Sequence, residues 1–239
     1  MNRHALGAIS GLMALAAVAA LALSQPIGKL GPRPAAQRST LALLTSLPLM
    51  FSEQFGLNGG GSPALTRLEQ RYNIRPIGVA DAASLQGQRL LLMAHPRAQP
   101  AEVLVDLDHW VRGGGRLLLL ADPGLDWPSE RPLGDRLRPQ PAFADTGLLA
   151  HWDLKLSGPD PRGPADAGNG SIEISTSSPG RLESRSCKLH GDGFVARCQI
   201  GKGRVTVVAD ADFLNVEPNA GSGGNLDLLL DELDRLESR

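Results

Sequence analysis

The sequence predicts an α/β domain built on a mainly parallel sheet, and three stretches carry that prediction. "RLLLMA" (89–94) and "RLLLLA" (116–121) are short runs that are apolar on both faces, as strands inside a parallel sheet must be. Between them, "PAEVLVDLDHWVR" (100–112) sets Val103, Leu104, Leu107, Trp110 and Val111 at helical spacing. Strand, helix and strand with short connections form the βαβ unit, whose strands run parallel with a right-handed crossover.

The remaining elements follow from local pattern. "TLALLTSLP" (40–48) is a short apolar run ended by proline, a buried-strand signal. "SPALTRLEQRYN" (62–73) opens a helix with Ser62 as N-cap and Pro63 at its first position, and puts Leu65, Leu68 and Tyr72 on one face. "IRPIGVA" (74–80) reads as a second strand. Gly113, Gly114 and Gly115 stop the 100–112 helix. From 123 to 143 the Pro-rich "PGLDWPSERPLGDRLRPQPAF" is a surface excursion. "DTGLLAHWDLKL" (145–156) is a short helix leading into a strand, and the loop-rich stretch 157–180 contains "SIEIST" as a further strand. "RVTVVA" (204–209) is a strand, and "NLDLLLDELDRL" (225–236) is a helix with Leu226, Leu229, Leu230, Leu233 and Leu236 on one stripe. No internal repeat or heptad run is present.

A chain of 239 residues with 42 % hydrophobic content can build one good-sized core. Its 24 basic and 25 acidic residues leave a net charge of −1, with no basic surplus to draw it onto nucleic acid. Residues 5–23, "ALGAISGLMALAAVAALAL", hold no charge and no proline. They fit a secretory signal cut after Ser24, and equally a membrane anchor, which needs about 20 apolar residues. The expected organisation is a signal peptide or anchor over 1–24, a linker over 25–39 and a single α/β domain over 40–239. Lys29, Arg33 and Arg38 after the apolar run, against Arg3 and the α-amine before it, would favour a cytoplasmic domain by about one charge.

The cysteines speak for export. Cys187 and Cys198 flank "KLHGDGFVAR", a hairpin with Asp192-Gly193 as its two-residue turn. That register sets Cys187 opposite Cys198 as a hydrogen-bonded pair, within disulfide range. A disulfide implies an oxidising compartment. Two buried free thiols are the alternative.

Most chemical motifs fail on context. A phosphate loop follows a strand and opens a helix, whereas Gly201-Lys202-Gly203 precedes its strand and "RGGGR" (112–116) lies between a helix and a strand. There is no G-x-S-x-G elbow, and the five histidines and two cysteines show no metal-ligand spacing. One constellation remains. His95, Asp122, Asp210 and Asp212 all sit just past the carboxyl ends of apolar strands, the edge where open α/β sheets bind ligands. Such residues also cap turns and helices in those loops.

"LVDLDHWVRGGGRLLLLADP" (104–123), "GKGRVTVVADADFLN" (201–215), "NLDLLLDEL" (225–233) and "LLAHWDLKL" (148–156) together resemble the GldG-type auxiliary domains of ABC-transport systems. The resemblance spans about residues 40–236 and implies a flavodoxin-like fold, similar to class I glutamine amidotransferases and ThuA-like proteins: a mainly parallel sheet with helices on both faces, here with an added antiparallel hairpin. The glutaminase cysteine has no counterpart. The resemblance therefore implies a non-enzymatic extracytoplasmic domain with no cofactor and no metal. Its partners would be ABC-transporter permease or ATPase subunits, with the membrane reached through the N-terminal segment, and the loop from Ser46 to Gly61 and the Pro-rich excursion would form contact surfaces. The alternatives are a small-molecule or carbohydrate-processing domain using the acidic edge, and a purely structural envelope protein.

Overall fold

The computed structural model describes residues 30–51, 61–160, 162–215 and 223–238. The apolar segment 5–23 and part of the 46–61 loop lie outside the described residues. Among those described, no helix is long and apolar enough to cross a membrane. A compact unit runs from Pro32 to Arg239, so the end of the expected linker belongs to the domain.

The central sheet has seven strands: β1 (Ser39–Thr45), β2 (Tyr72–Pro76), β3 (Leu90–Ala94), β4 (Arg116–Leu120), β9 (Lys188–His190), β10 (Val195–Ile200) and β11 (Gly203–Val208). Their order is β2-β1-β3-β4-β11-β10-β9. The first five are parallel; β10 and β9 add on antiparallel. Two small antiparallel ribbons stand beside the sheet, β5 (Leu154–Ser157) with β8 (Arg181–Ser184) and β6 (Pro164–Gly168) with β7 (Glu173–Ser177). The helices are α1 (Pro63–Glu69), α2 (Ala82–Leu85), α3 (Ala101–Arg112), α4 (Leu148–His151) and α5 (Gly223–Ser238).

Strands β3 and β4 are buried almost end to end because both faces are covered. On one face Ala42, Leu44, Leu91, Met93, Leu117, Leu119, Val205 and Val207 pack with Val103, Leu107 and Val111 of α3. The alternate residues Leu41, Leu43, Leu92 and Leu118 are also buried. They point to the opposite face, where α5 lies against β4 and β11. At about 2 kcal/mol per buried leucine or valine side chain, these two layers supply the main driving force for folding.

Several boundaries move from their expected places. Ser62 caps α1 as expected, its side chain accepting from the Leu65 N–H at 3.1 Å. The helix ends at Glu69, however, and Tyr72 starts β2 instead of lying on the helix face. The cause is long-range: Tyr72 pairs in parallel register with Ser39. The turn Gly201-Lys202 is wedged against the end of α3, with the Lys202 N–H donating to the Arg112 carbonyl at 3.0 Å. A Cβ on Gly203 would fall 1.9 Å from the Val111 oxygen, so glycine is required there by close approach rather than by an anion.

The hairpin forms with its predicted turn; Asp192 and Gly193 both take positive φ, as a type I′ turn needs. Cys187 and Cys198 are disulfide-bonded with Cα atoms 4.5 Å apart. That is the closer of the two ladder spacings, not the wider one expected of a hydrogen-bonded pair. Cys187 has left the ladder, because its N–H donates to Ser184 Oγ at 2.9 Å. The bond fits an oxidising, extracytoplasmic location.

The two ends of the domain are clasped together. Arg33 reaches Glu237 at 2.8 Å and Asp234 at 2.5 Å, and stacks over the Tyr72 ring at 5.1 Å. Arg71 joins Asp234 at 2.6 Å. Further along α5, the buried Glu232 takes a two-pronged contact from Arg197, at 2.9 and 2.5 Å, and a 2.7 Å bond from Asn169. One carboxylate thereby ties α5, β10 and the β6–β7 turn together.

Candidate functional site

His95, Asp122, Asp210 and Asp212 lie where the sequence expected them, past the carboxyl ends of β3, β4 and β11. All four are buried. Asp122 joins two strand exits: its Oδ1 accepts from the Gly124 N–H at 2.8 Å and its Oδ2 from the Ala211 N–H at 2.9 Å. Asp210 Oδ1 accepts from Thr176 Oγ1 at 2.8 Å and from the Phe213 N–H at 3.0 Å, holding the 3-10 turn Asp212–Leu214. Asp212 Oδ2 accepts from the Asp126 N–H at 2.8 Å. Asp126, which the sequence reading passed over, takes 2.5 and 2.9 Å bonds from the Ser177 and Ser178 hydroxyls.

The electrostatics follow from burial. Burial raises the Asp122 carboxyl, and three backbone amides partly offset it. Asp210 is pushed well above the usual carboxylate range by burial first and by the Asp122 charge second. Asp212 is pushed up to about 7, again mainly by burial, with the Asp122 and Asp126 carboxylates adding to it. Asp126 is lowered by the two serine hydroxyls. Asp210 Oδ2 and Asp212 Oδ1 have no hydrogen-bond partner. A bare carboxylate oxygen without water is costly, so protonation is the cheaper state.

His95 stands apart from the carboxylates. It holds a left-handed backbone (φ 46°), and its Nε2 meets the Gln140 carbonyl at 2.9 Å, which fixes Nε2 as the protonated nitrogen. Burial lowers its pKa, so the ring is neutral. The Pro-rich excursion supplies that carbonyl and closes over the strand ends. Its Phe143 N–H donates to the Asp122 carbonyl at 2.6 Å, and Arg97 donates to the carbonyls of Arg136 and, at 2.9 Å, Arg138. The carboxyl edge thus carries acids that brace loops and can store protons. Among the described residues no group of three or more His, Cys, Asp or Glu is arranged to hold a metal ion.

No protein-family model matches this chain, and no curated protein matches it. Solved structures do match. The N-terminal domain of mmIFT52 aligns with a TM-score of 0.55 at 12 % identity, over 84 % of this chain and 99 % of that domain. A cytoplasmic protein of Salmonella typhimurium LT2 aligns with a TM-score of 0.50 at 11 % identity, over 81 % of this chain and 99 % of its own. The exo-beta-1,4-mannosidase Op5Man5 from Opitutaceae bacterium strain TAV5 gives 0.49 at 14 % identity over 86 % of this chain. The present chain spans 36 % of that enzyme's length. At these identities the likeness concerns the fold alone.

Proposed function

We propose that this chain is a non-enzymatic, extracytoplasmic auxiliary domain of an ABC-type transport system, bound to its permease through loops at the carboxyl edge of the sheet. The observation that carries the reading is a set of exposed apolar side chains on those loops. Leu133 is 89 % and Phe51 81 % exposed, and Leu137 lies on the same excursion as Leu133. Large apolar groups held out to water on a braced loop are what a partner surface supplies. Asp122, Asp210 and Asp212 each accept from a loop or turn backbone N–H, which suits a scaffold better than a catalyst. The parallel order β2-β1-β3-β4-β11 supports the flavodoxin-like arrangement that the GldG-type resemblance implies. The disulfide supports placement outside the cytoplasm.

The test is affinity recovery of the tagged full chain from detergent-solubilised membranes, with the co-purified subunits identified by mass. Permease or ATPase subunits of one transporter are expected. A Leu133→Asp/Leu137→Asp variant should lose them by at least tenfold while keeping its melting temperature. Recovery of the chain alone, or unchanged recovery by the variant, would overturn the reading. A small-molecule-processing domain is the second reading, favoured only by the unpartnered oxygens of Asp210 and Asp212. It requires the excursion over residues 123–143 to open.

A further inference from the structure

A basic residue marks the start of every parallel strand. Arg38 and Arg71 immediately precede β1 and β2, Arg89 precedes β3, Arg116 opens β4, and Lys202 and Arg204 bracket the first residue of β11. Five adjacent strands about 4.8 Å apart spread this row over roughly 20 Å. The chain as a whole has a net charge of −1, so the row is a local concentration and not a reflection of composition. Of the acids near this edge, Asp234 and Glu237 hold Arg33 and Arg71, and Asp108 holds Arg112 at 2.7 Å, while Glu69 at the end of α1 is exposed. Arg116 and Arg204 also reach the last carbonyls of α5, those of Glu237 and Leu236. Arg89 and Lys202 are exposed.

The "RGGGR" stretch contributes a cleft to this edge. It measures about 510 Å³ and is lined by Gln88, Arg89, Trp110, the three glycines and Arg116. The Trp110 indole donates to the Gln88 carbonyl at 3.1 Å. A Cβ on Gly115 would fall 2.4 Å from the indole ring, so glycine there lets the ring lie flat against the backbone. Two guanidiniums beside an amphipathic aromatic ring form a setting suited to a phosphate at a membrane interface.

We propose that this amino edge is the docking surface for an anionic phospholipid bilayer, with Arg89 and Arg116 holding a headgroup phosphate in the cleft and Arg38 and Lys202 meeting neighbouring headgroups. The proposal rests on the extracytoplasmic reading above, and uses the edge opposite to the loops assigned to the permease. A bilayer is favoured over a soluble anion because the row is extended. The chain also enters the domain at this edge: Arg38 leads into β1, and nine residues separate Arg33 from the end of the apolar run, at most about 35 Å of extended chain.

The experiment places the full chain in nanodiscs of phosphatidylcholine, with or without phosphatidylglycerol, and follows amide hydrogen exchange over 86–90, 112–116 and 201–204. Exchange there should slow at least threefold in anionic discs at low salt. The slowing should vanish in 0.5 M NaCl and in an Arg89→Glu/Lys202→Glu variant. Equal exchange in both lipids, or slowing that survives charge reversal, overturns the proposal; should the variant unfold, the lipid comparison on the native chain still decides. Slowing by millimolar inorganic phosphate without discs would assign the cleft to a soluble anion and overturn the bilayer assignment. No permease is present, so lipid-dependent slowing alongside failed permease recovery would sink the transporter reading alone.

Discussion

Asp212→Asn should make this protein more stable at neutral pH, although it removes a native charge. Asp212 is 7 % exposed, one of its oxygens has no partner, and its carboxyl is pushed up to about 7 from 3.8. A carboxyl whose folded pKa is raised binds its proton more tightly folded than unfolded. It costs nothing below about pH 4, where both states are protonated. Its penalty grows from about 4 to about 7 as the unfolded state ionises, and is constant above that. About three pKa units correspond to at most about 4 kcal/mol, and some access to water brings the expected gain to about 2–4 kcal/mol. The asparagine carbonyl keeps the bond from the Asp126 N–H. Urea unfolding at pH 4, 6 and 8, with reversibility checked, measures this directly. The native protein should lose stability between pH 4 and 7, and the variant should lose less by that amount. Equal slopes, with no gain at pH 8, would refute the assignment of Asp212 as a buried, unpaired acid.

Three further predictions concern the framework. Glu232→Ala takes the buried carboxylate away from the Arg197 guanidinium and leaves the Asn169 amide nitrogen with Asp231 alone, and should cost about 2–4 kcal/mol in chemical denaturation; a loss below 1 kcal/mol would show that the carboxylate does not tie the three elements. Replacing both Cys187 and Cys198 with serine opens an 11-residue separation and should cost about 2–3 kcal/mol under oxidising conditions. Thiol titration of the native protein without reductant should find no reactive thiol, and two would remove the disulfide. Gly203→Ala drives a methyl onto the Val111 carbonyl and should cost at least about 2 kcal/mol, read as a fall in melting temperature.

The parts of this fold that were legible in the sequence are those fixed by local pattern. Strands β3 and β4, helix α3 and the leucine stripe of α5 are written in the spacing of their own apolar residues. Tyr72 was misread because it continues the helical spacing of Leu65 and Leu68, while pairing with Ser39, 33 residues earlier in the chain, outweighs that rhythm. Strand β6, "PADAG", has little strand propensity and forms by pairing with β7, which a local reading cannot see. The placement of Asp122, Asp210 and Asp212 at the sheet edge was visible. Their partners were not, because Ala211 and Asp126 come from loops, and Thr176 from strand β7, whose placement depends on the finished fold. Glu232 looked like an ordinary polar position on an amphipathic helix, and only the neighbouring strand turns it into a buried anchor.

The clasp between Arg33 and α5 also sets the order of events during biosynthesis. Arg33 and Glu237 stand 204 positions apart, so the first residues of the domain wait for nearly the last. At about 5–20 residues per second, the interval is roughly 10–40 s. During that time β1 has neither its clasp nor the β11–α5 layer that completes the sheet. A domain whose first residues find their acidic partners only on its last helix is closed from both ends at once, and that contact comes after nearly all of the domain has been made.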